Sequence, residues 1–141
     1  MKSFLSFSEA SFIAIHALGI LADKKRRTGE ISDLLNAREN HVIKVLQKLK
    51  KVGFVDSERG PNGGYFIIKN IHEISLFEII KIIDGDIFSA LCPFGKTKCI
   101  YDSCRFGDLF GDISKQLVKY LKNESIKDFI SNRNFIREDS W

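Results

Sequence analysis

All three cysteines of this 141-residue chain fall in one stretch, CPFGKTKCIYDSC, as Cys92, Cys99 and Cys104. Thiolates are soft ligands suited to iron–sulfur clusters, Zn2+ or Cu(I). A four-ligand centre needs one more donor than these sulfurs supply. Zinc sites start from closely spaced cysteine pairs with His or further Cys nearby. Cys99 and Cys104 form a C-x4-C pair, yet no His follows position 73. Pro93, Gly95 and Gly107 mark the stretch as loop. Three thiols on a loop, completed from outside it, suit a cluster better than zinc. Two plainer readings stand beside this one. The cysteines are small reduced core residues, or Cys99 and Cys104 join in a disulfide on oxidation.

Catalysis by these thiols lacks support. A cysteine nucleophile needs an adjacent base, and His16, His41 and His72 all precede the loop. The chain has no oxidoreductase-type C-x-x-C and no phosphate loop, so we expect no enzyme.

The elements that must position the loop are legible. SFSE, Ser6 to Glu9, is a capping-box pattern ahead of Phe12, Ile13, Leu18 and Leu21, predicting a helix over about 8–22. Thr28 is placed to cap a second helix, carrying Ile31, Leu34 and Leu35. Asn36, with Glu39 three residues on, is placed to cap a third. In RENHVIKVLQKLKKV, residues 38–52, Val42, Val45, Leu46, Leu49 and Val52 recur at helical spacing as a buried stripe. Gly53 then supplies a left-handed stop.

FVDSE and YFIIK read as two strands joined by RGPNGG, where Pro61 presets φ and Asn62-Gly63-Gly64 accept φ > 0. Ser75 to Glu78 repeats the capping-box pattern before Ile79, Ile80, Ile82 and Ile83, and Gly85 ends that helix. A long helix over about 108–122 carries Leu109, Phe110, Ile113, Leu117 and Leu121, a stripe needing a partner surface. SIKD, Ser125 to Asp128, starts one more short helix before a polar tail. The fold class is mainly α with a β-hairpin wing, a winged helix–turn–helix, plus a long C-terminal helix. The expected division is 1–70 DNA-binding domain, 71–85 connecting helix, 86–107 cysteine segment, and 108–141 long helix and tail.

Charge separates the two halves. Residues 1–70 carry 12 Lys/Arg against 7 Asp/Glu, while residues 71–141 carry 10 against 11. A basic front half is the footprint of a polyanion partner. Arg38, His41, Lys44, Lys48 and Lys51 gather opposite the third helix's stripe, with Asn40 and Gln47 close by. Such side chains read base edges in the major groove and neutralise phosphates. Arg38, Asn40, His41 and Lys44 are placed for the groove floor, and Gln47 and Lys48 for phosphate. Arg59 at the root of the turn, with Asn62 at its tip, fits a wing whose Arg enters the narrow minor groove.

VLQKLKKVGFVDSERGPNGGYFI, followed by EISLFEIIKIIDG and a three-cysteine loop, resembles the IscR/NsrR family of bacterial winged-helix regulators over roughly residues 4–122. The resemblance implies a homodimer binding a pseudo-palindromic DNA operator, repression of transcription, and a [2Fe-2S] or [4Fe-4S] cluster on Cys92, Cys99 and Cys104. It also implies that the helix after the cysteines packs on its twofold mate. Some members complete the cluster with a His three residues after the last cysteine, where this chain has Gly107. Others use a carboxylate near the start of helix 1, which corresponds to Glu9 here. As its rival role, Glu9 completes the Ser6 capping box, and Asp102 and Asp108 are alternative donors. Position 43, which carries a polar base reader in some relatives, is Ile43. The expected function is therefore a DNA-binding regulator whose operator affinity depends on the cluster. Control by thiol oxidation, or by a protein or small-molecule partner, is the alternative, and an adaptor that no longer touches DNA is a further one. Lys2 and ASFIAIHALGILA faintly suggest a signal peptide, but Glu9, His16 and KKRR interrupt the pattern. The expected location is the cytoplasm, without a membrane partner, where thiols stay reduced.

Overall fold

The computed structural model describes residues 6–87, 92, 94 and 98–131. Expectations for Pro93, Gly95, part of the cysteine segment and the tail beyond 131 lie outside the described residues. The elements are α1 (Glu9–Leu21), α2 (Thr28–Leu35), α3 (Glu39–Lys51), β1 (Val55–Glu58), β2 (Gly64–Ile67), α4 (Leu76–Asp84), α5 (Gly107–Asn123) and α6 (Ile126–Ile130).

Between Ser11 and Leu21, only Phe12 and His16 of α1 reach solvent. A helix that is apolar on nearly every face must be surrounded, and α1 meets α2, α3, α4, α6 and β2. Ile13, Leu18, Ile31, Leu46, Ile79 and Ile126 belong to one apolar cluster. At Gly19 an added Cβ would lie 3.0 Å from Ile130 Cγ2, so the lack of a side chain there lets α6 seat against α1. The Ser125–Asp128 capping box forms in full. The segment around α6 is tied by Ile126 N–H donating to Ile74 O (2.9 Å) and Leu76 N–H donating to Glu124 O (2.9 Å).

The hairpin pairs β1 and β2 antiparallel, Val55 opposite Ile67 through Glu58 opposite Gly64. Arg26 bridges to Tyr65 on the outer edge of β2, through Arg26 N–H to Tyr65 O (3.1 Å) and Tyr65 N–H to Arg26 O (2.8 Å). Gly53 takes its expected positive φ of 82°. In the turn, positive φ falls at Gly60 (105°) and at Gly64 (144°) as the sequence suggested, but not at Asn62 or Gly63.

Several helix starts differ from the sequence expectation, for identifiable reasons. Ser8 is the N-cap of α1, accepting from Ser11 N–H. Glu9 is therefore the first helical residue, and the Ser6 box does not form. Ser8 is drawn into place by a distant carboxylate, Asp84, that no local pattern contains. Thr28 lies inside α2, whose N-cap is Arg27. Its hydroxyl donates instead to Glu39 Oε1 at 2.9 Å, joining α2 to α3. Asn36 does not open α3; it closes α2 in the left-handed region (φ 49°, ψ 41°), which Asn tolerates. Arg38 is the N-cap of α3. Ser75 accepts from Glu78 N–H as expected, but the Glu78 carboxylate is engaged by Lys69 Nζ at 3.0 Å.

Val52 lies just past α3 and is 44% exposed, so the buried stripe ends at Leu49. This separates two residues that look equivalent in sequence. Leu46→Ala should cost about 2–5 kcal/mol, whereas Val52→Ala should stay within about 0.5 kcal/mol. Urea denaturation of the two variants checks the contrast.

Candidate DNA-reading face and thiol segment

Burial of Val42, Val45, Leu46 and Leu49 fixes which way α3 faces. Arg38, Asn40, Lys44, Gln47 and Lys48 are exposed on its outer side, and His41 is half-buried. Among the described residues, His41 and Lys48 have partners within the chain. His41 Nδ1 lies 3.7 Å from Glu9 Oε2, and Lys48 Nζ donates to Ile83 O at 3.2 Å. Lys50 reaches β1, donating to Ser57 Oγ at 2.9 Å and pairing with Asp56 at 3.5 Å. The third helix and the stem of the hairpin are thereby joined. Arg59 and Asn62 are exposed on the turn.

Where α1 begins, α4 ends, and a three-element junction forms. Ser8 N–H donates to Asp84 Oδ2 (3.0 Å), Ser8 Oγ donates to Asp84 Oδ1, and Ser11 Oγ donates to Oδ2 (2.7 Å). Burial penalises the Asp84 carboxylate. Donation from Ser8 and Ser11, with the Lys48 charge nearby, outweighs that penalty and holds its pKa below the ordinary value. Asp84 immediately precedes Gly85 (φ 76°), where the cysteine-bearing segment leaves α4. One carboxylate thus ties the start of that segment to α1, and Lys48 ties α3 to the same end of α4. Sequence reasoning missed Asp84, Ser8 and Ser11. A signal existed, since an acidic residue at a helix C-terminus opposes the helix dipole and calls for compensating donors.

Cys99 and Cys104 are exposed and Cys92 is partly buried. Cys99 and Cys104 line one solvent-open concavity with Tyr101, Asp102, Ser103, Arg105 and Phe106. Gly107 stands against Cys104, and a Cβ there would lie 3.3 Å from the Cys104 Cβ. Phe106 and Phe110 stack at 5.2 Å over the start of α5. Among the described residues no three His, Cys, Asp or Glu side chains gather as a metal-ligand set. Glu9 lines a different hollow with Phe12, Ile13, His16, Leu34, Leu35 and Ala37, and its side chain is 73% exposed. Donor chemistry and access at Cys99 and Cys104 fit a soft metal centre, but within one copy Glu9 does not line their concavity. On α5, Leu121 is buried, whereas Leu109 is 55% and Ile113 40% exposed.

Three helices, a hairpin leaving the third, and a cationic outer face on that helix define a winged helix–turn–helix of the transcription-regulator class. The profile of the Rrf2 family, described as an iron-dependent transcriptional regulator, matches residues 7–132, and the chain belongs to that family. The HTH-type transcriptional regulator IscR of Pectobacterium atrosepticum is 28% identical over 108 residues, covering 76% of this chain and 65% of that protein. IscR of Klebsiella pneumoniae strain 342 is 29% identical, covering 76% and 66%. The chain thus spans about 65% of the length of these curated relatives. Among solved structures, CymR of B. subtilis, titled the global cysteine regulator, superposes with a TM-score of 0.73 at 20% identity, covering 92% of this chain and 99% of that one. The oxidized form of Staphylococcus aureus CymR gives 0.74 at 18%, covering 93% and 100%. T. potens IscR gives 0.67 at 16%, covering 96% and 95%. The winged-helix fold is shared with all three. These relatives are named as regulators, in keeping with a family of non-enzymatic DNA-binding proteins. No described helix is long and apolar enough to cross a membrane.

The junction has a pH signature. A carboxylate whose folded pKa is depressed contributes stability above its unfolded value, and loses it as pH falls through the folded value. Asp84→Asn should therefore lower stability at pH 7 by about 1–2 kcal/mol. The gap from wild type should close as pH falls below the ordinary carboxyl value of 3.8, which urea melts across that range would reveal.

Proposed function

We propose that this chain is a cytoplasmic DNA-binding transcriptional repressor, acting as a homodimer on a pseudo-palindromic operator, with affinity set by an iron–sulfur cluster. One observation carries the DNA reading. α3 buries Val42, Val45, Leu46 and Leu49 and turns Arg38, Asn40, Lys44, Gln47 and Lys48 outward, directly before a hairpin bearing Arg59 and Asn62. In this reading Arg38, Asn40, His41 and Lys44 meet base edges, Gln47 and Lys48 meet phosphate, and Arg59 with Asn62 enter the minor groove. Lys48 divides its ammonium between a phosphate and Ile83 O, so its DNA contact is linked to the position of α4.

Cys92, Cys99 and Cys104 would hold the cluster, whose contribution is a redox-responsive link between loop and body. Glu9 is the fourth donor, offered by the second copy. Its exposure and its separation from the Cys99–Cys104 concavity within one chain support a role across a twofold axis. The alternative in which Glu9 serves only to complete a Ser6 cap is not available, because Ser8 is the cap. The exposed Leu109 and Ile113 of α5 support helix-to-helix pairing of two copies, which sets the spacing of the two α3 helices against operator half-sites.

A second reading has its own observation. Cys99 and Cys104 are both exposed and share one concavity, which favours a disulfide switch formed on oxidation. Anaerobic purification separates the two readings. Brown protein containing iron and sulfide supports the cluster, while colourless protein with three titratable thiols supports the switch.

Two outcomes test the proposal. Operator affinity should fall steeply with salt, the logarithm of the binding constant dropping by about 0.9 per phosphate contact for each decade. A flat dependence would remove the DNA reading. Glu9→Ala should shorten the lifetime of the anaerobic visible absorption, and an unchanged spectrum and lifetime would exclude Glu9 as a ligand.

A further inference from the structure

The last ladder pair of the wing is Glu58 opposite Gly64, so residues 59–63 lie beyond the sheet. Within that tip, Gly63 N–H donates to Gly60 O at 2.9 Å. A two-stranded hairpin has little stability of its own in water, and a tip held by a single turn bond would sample many poses. A side chain from elsewhere in the fold meets it. Arg27 Nη2 donates to Gly60 O at 2.8 Å and to Pro61 O at 2.5 Å.

Arg27 is well rooted for this task. The preceding residue, Arg26, exchanges both backbone hydrogen bonds with Tyr65 on β2, and Lys25 pairs with Glu58 on β1 at 2.8 Å. The Arg26 carbonyl comes so close that a Cβ at Gly64 would lie 2.6 Å from its oxygen. Arg27 is also the N-cap of α2, the first helix of the helix–turn–helix. That position favours Ser, Thr, Asp or Asn, whose short oxygen caps the free amides. Arg makes no such cap here; its guanidinium goes to the wing instead. A local rule set aside with a compensating long-range bond marks a site selected for something other than helix stability.

We propose that Arg27 sets the pose of the wing tip, a positioning residue through which Arg59 and Asn62 are presented to the duplex. The inference rests on the DNA reading above for its consequence, though not for its geometry. Both bonds leave one nitrogen, Nη2, whose two N–H groups are held in the guanidinium plane, and together they tie the tip to the start of α2. Lys keeps the charge without that fixed plane.

The test uses the intact protein with Arg27→Gln and Arg27→Lys, each checked for unchanged thermal unfolding. In the free protein, hydrogen exchange at the Gly63 amide should rise at least tenfold in Arg27→Gln and less in Arg27→Lys. On an operator fragment, Arg27→Gln should lower affinity, and Arg59→Ala should cost much less in the Arg27→Gln background than in wild type. Unchanged exchange at Gly63 overturns the proposal. So does full additivity of the two substitutions with a salt slope reduced by about one, which makes Arg27 a phosphate contact in its own right. If wild type binds no duplex while Arg27→Gln still frees the tip, the brace stands and the DNA reading is what falls.

Discussion

The architecture depends on α1 being too apolar to lie on a surface. Only Phe12 and His16 of its last eleven residues reach solvent, so other elements must close around it. α2, α3 and α4 pack against it, and α6 seats against Gly19. Once α1 is central, α3 has one way to bury Val42, Val45, Leu46 and Leu49, and that choice turns its cationic side outward. The outward cationic face of α3 is therefore a consequence of hydrophobic burial elsewhere. The core specifies its orientation.

The polar junction at Ser8, Ser11 and Asp84 sits where that core opens toward the cysteine segment. Asp84 ends α4 and faces the N-terminus of α1, where the Ser8 amide and the Ser8 and Ser11 hydroxyls satisfy it. Lys48 extends the connection to α3 through Ile83 O. A short chain of hydrogen bonds thus joins the end of α4, just before Gly85, to α1 and α3. Short polar routes of this kind are directional, so a small displacement is not absorbed as it would be among interchangeable methyl groups.

Much of this was readable from the residues alone. The helical stripe of α3, the glycine stop at 53, the hairpin, the long α5 and the α6 capping box all follow from local periodicity and turn chemistry. The failures have two causes. Ser6, Thr28 and Asn36 each carried a valid local capping signal, but a partner distant in sequence, or the αL tolerance of Asn, decided the outcome. Ser8 answered Asp84, Thr28 answered Glu39, and Asn36 closed the helix before it instead of opening the next. The candidate site divides the same way. The cationic face of α3 is a periodic pattern and was legible. The Arg27 brace and the Asp84 junction pair residues 33 to 76 positions apart, and no periodic pattern in one sequence announces such pairs.

The glycines of the wing carry a consequence for how this reader can change over time. Gly64 has both a backbone angle that L side chains avoid and a carbonyl oxygen 2.6 Å from where a methyl would sit. At Gly63 a methyl would meet Glu58 O at 2.5 Å. Neither position can accept a side chain without breaking the hairpin, whereas Arg59 and Asn62 are exposed and lie outside the positive-φ region, so the turn can vary there. In the reading proposed above, a new target preference read through the wing would arise at such positions.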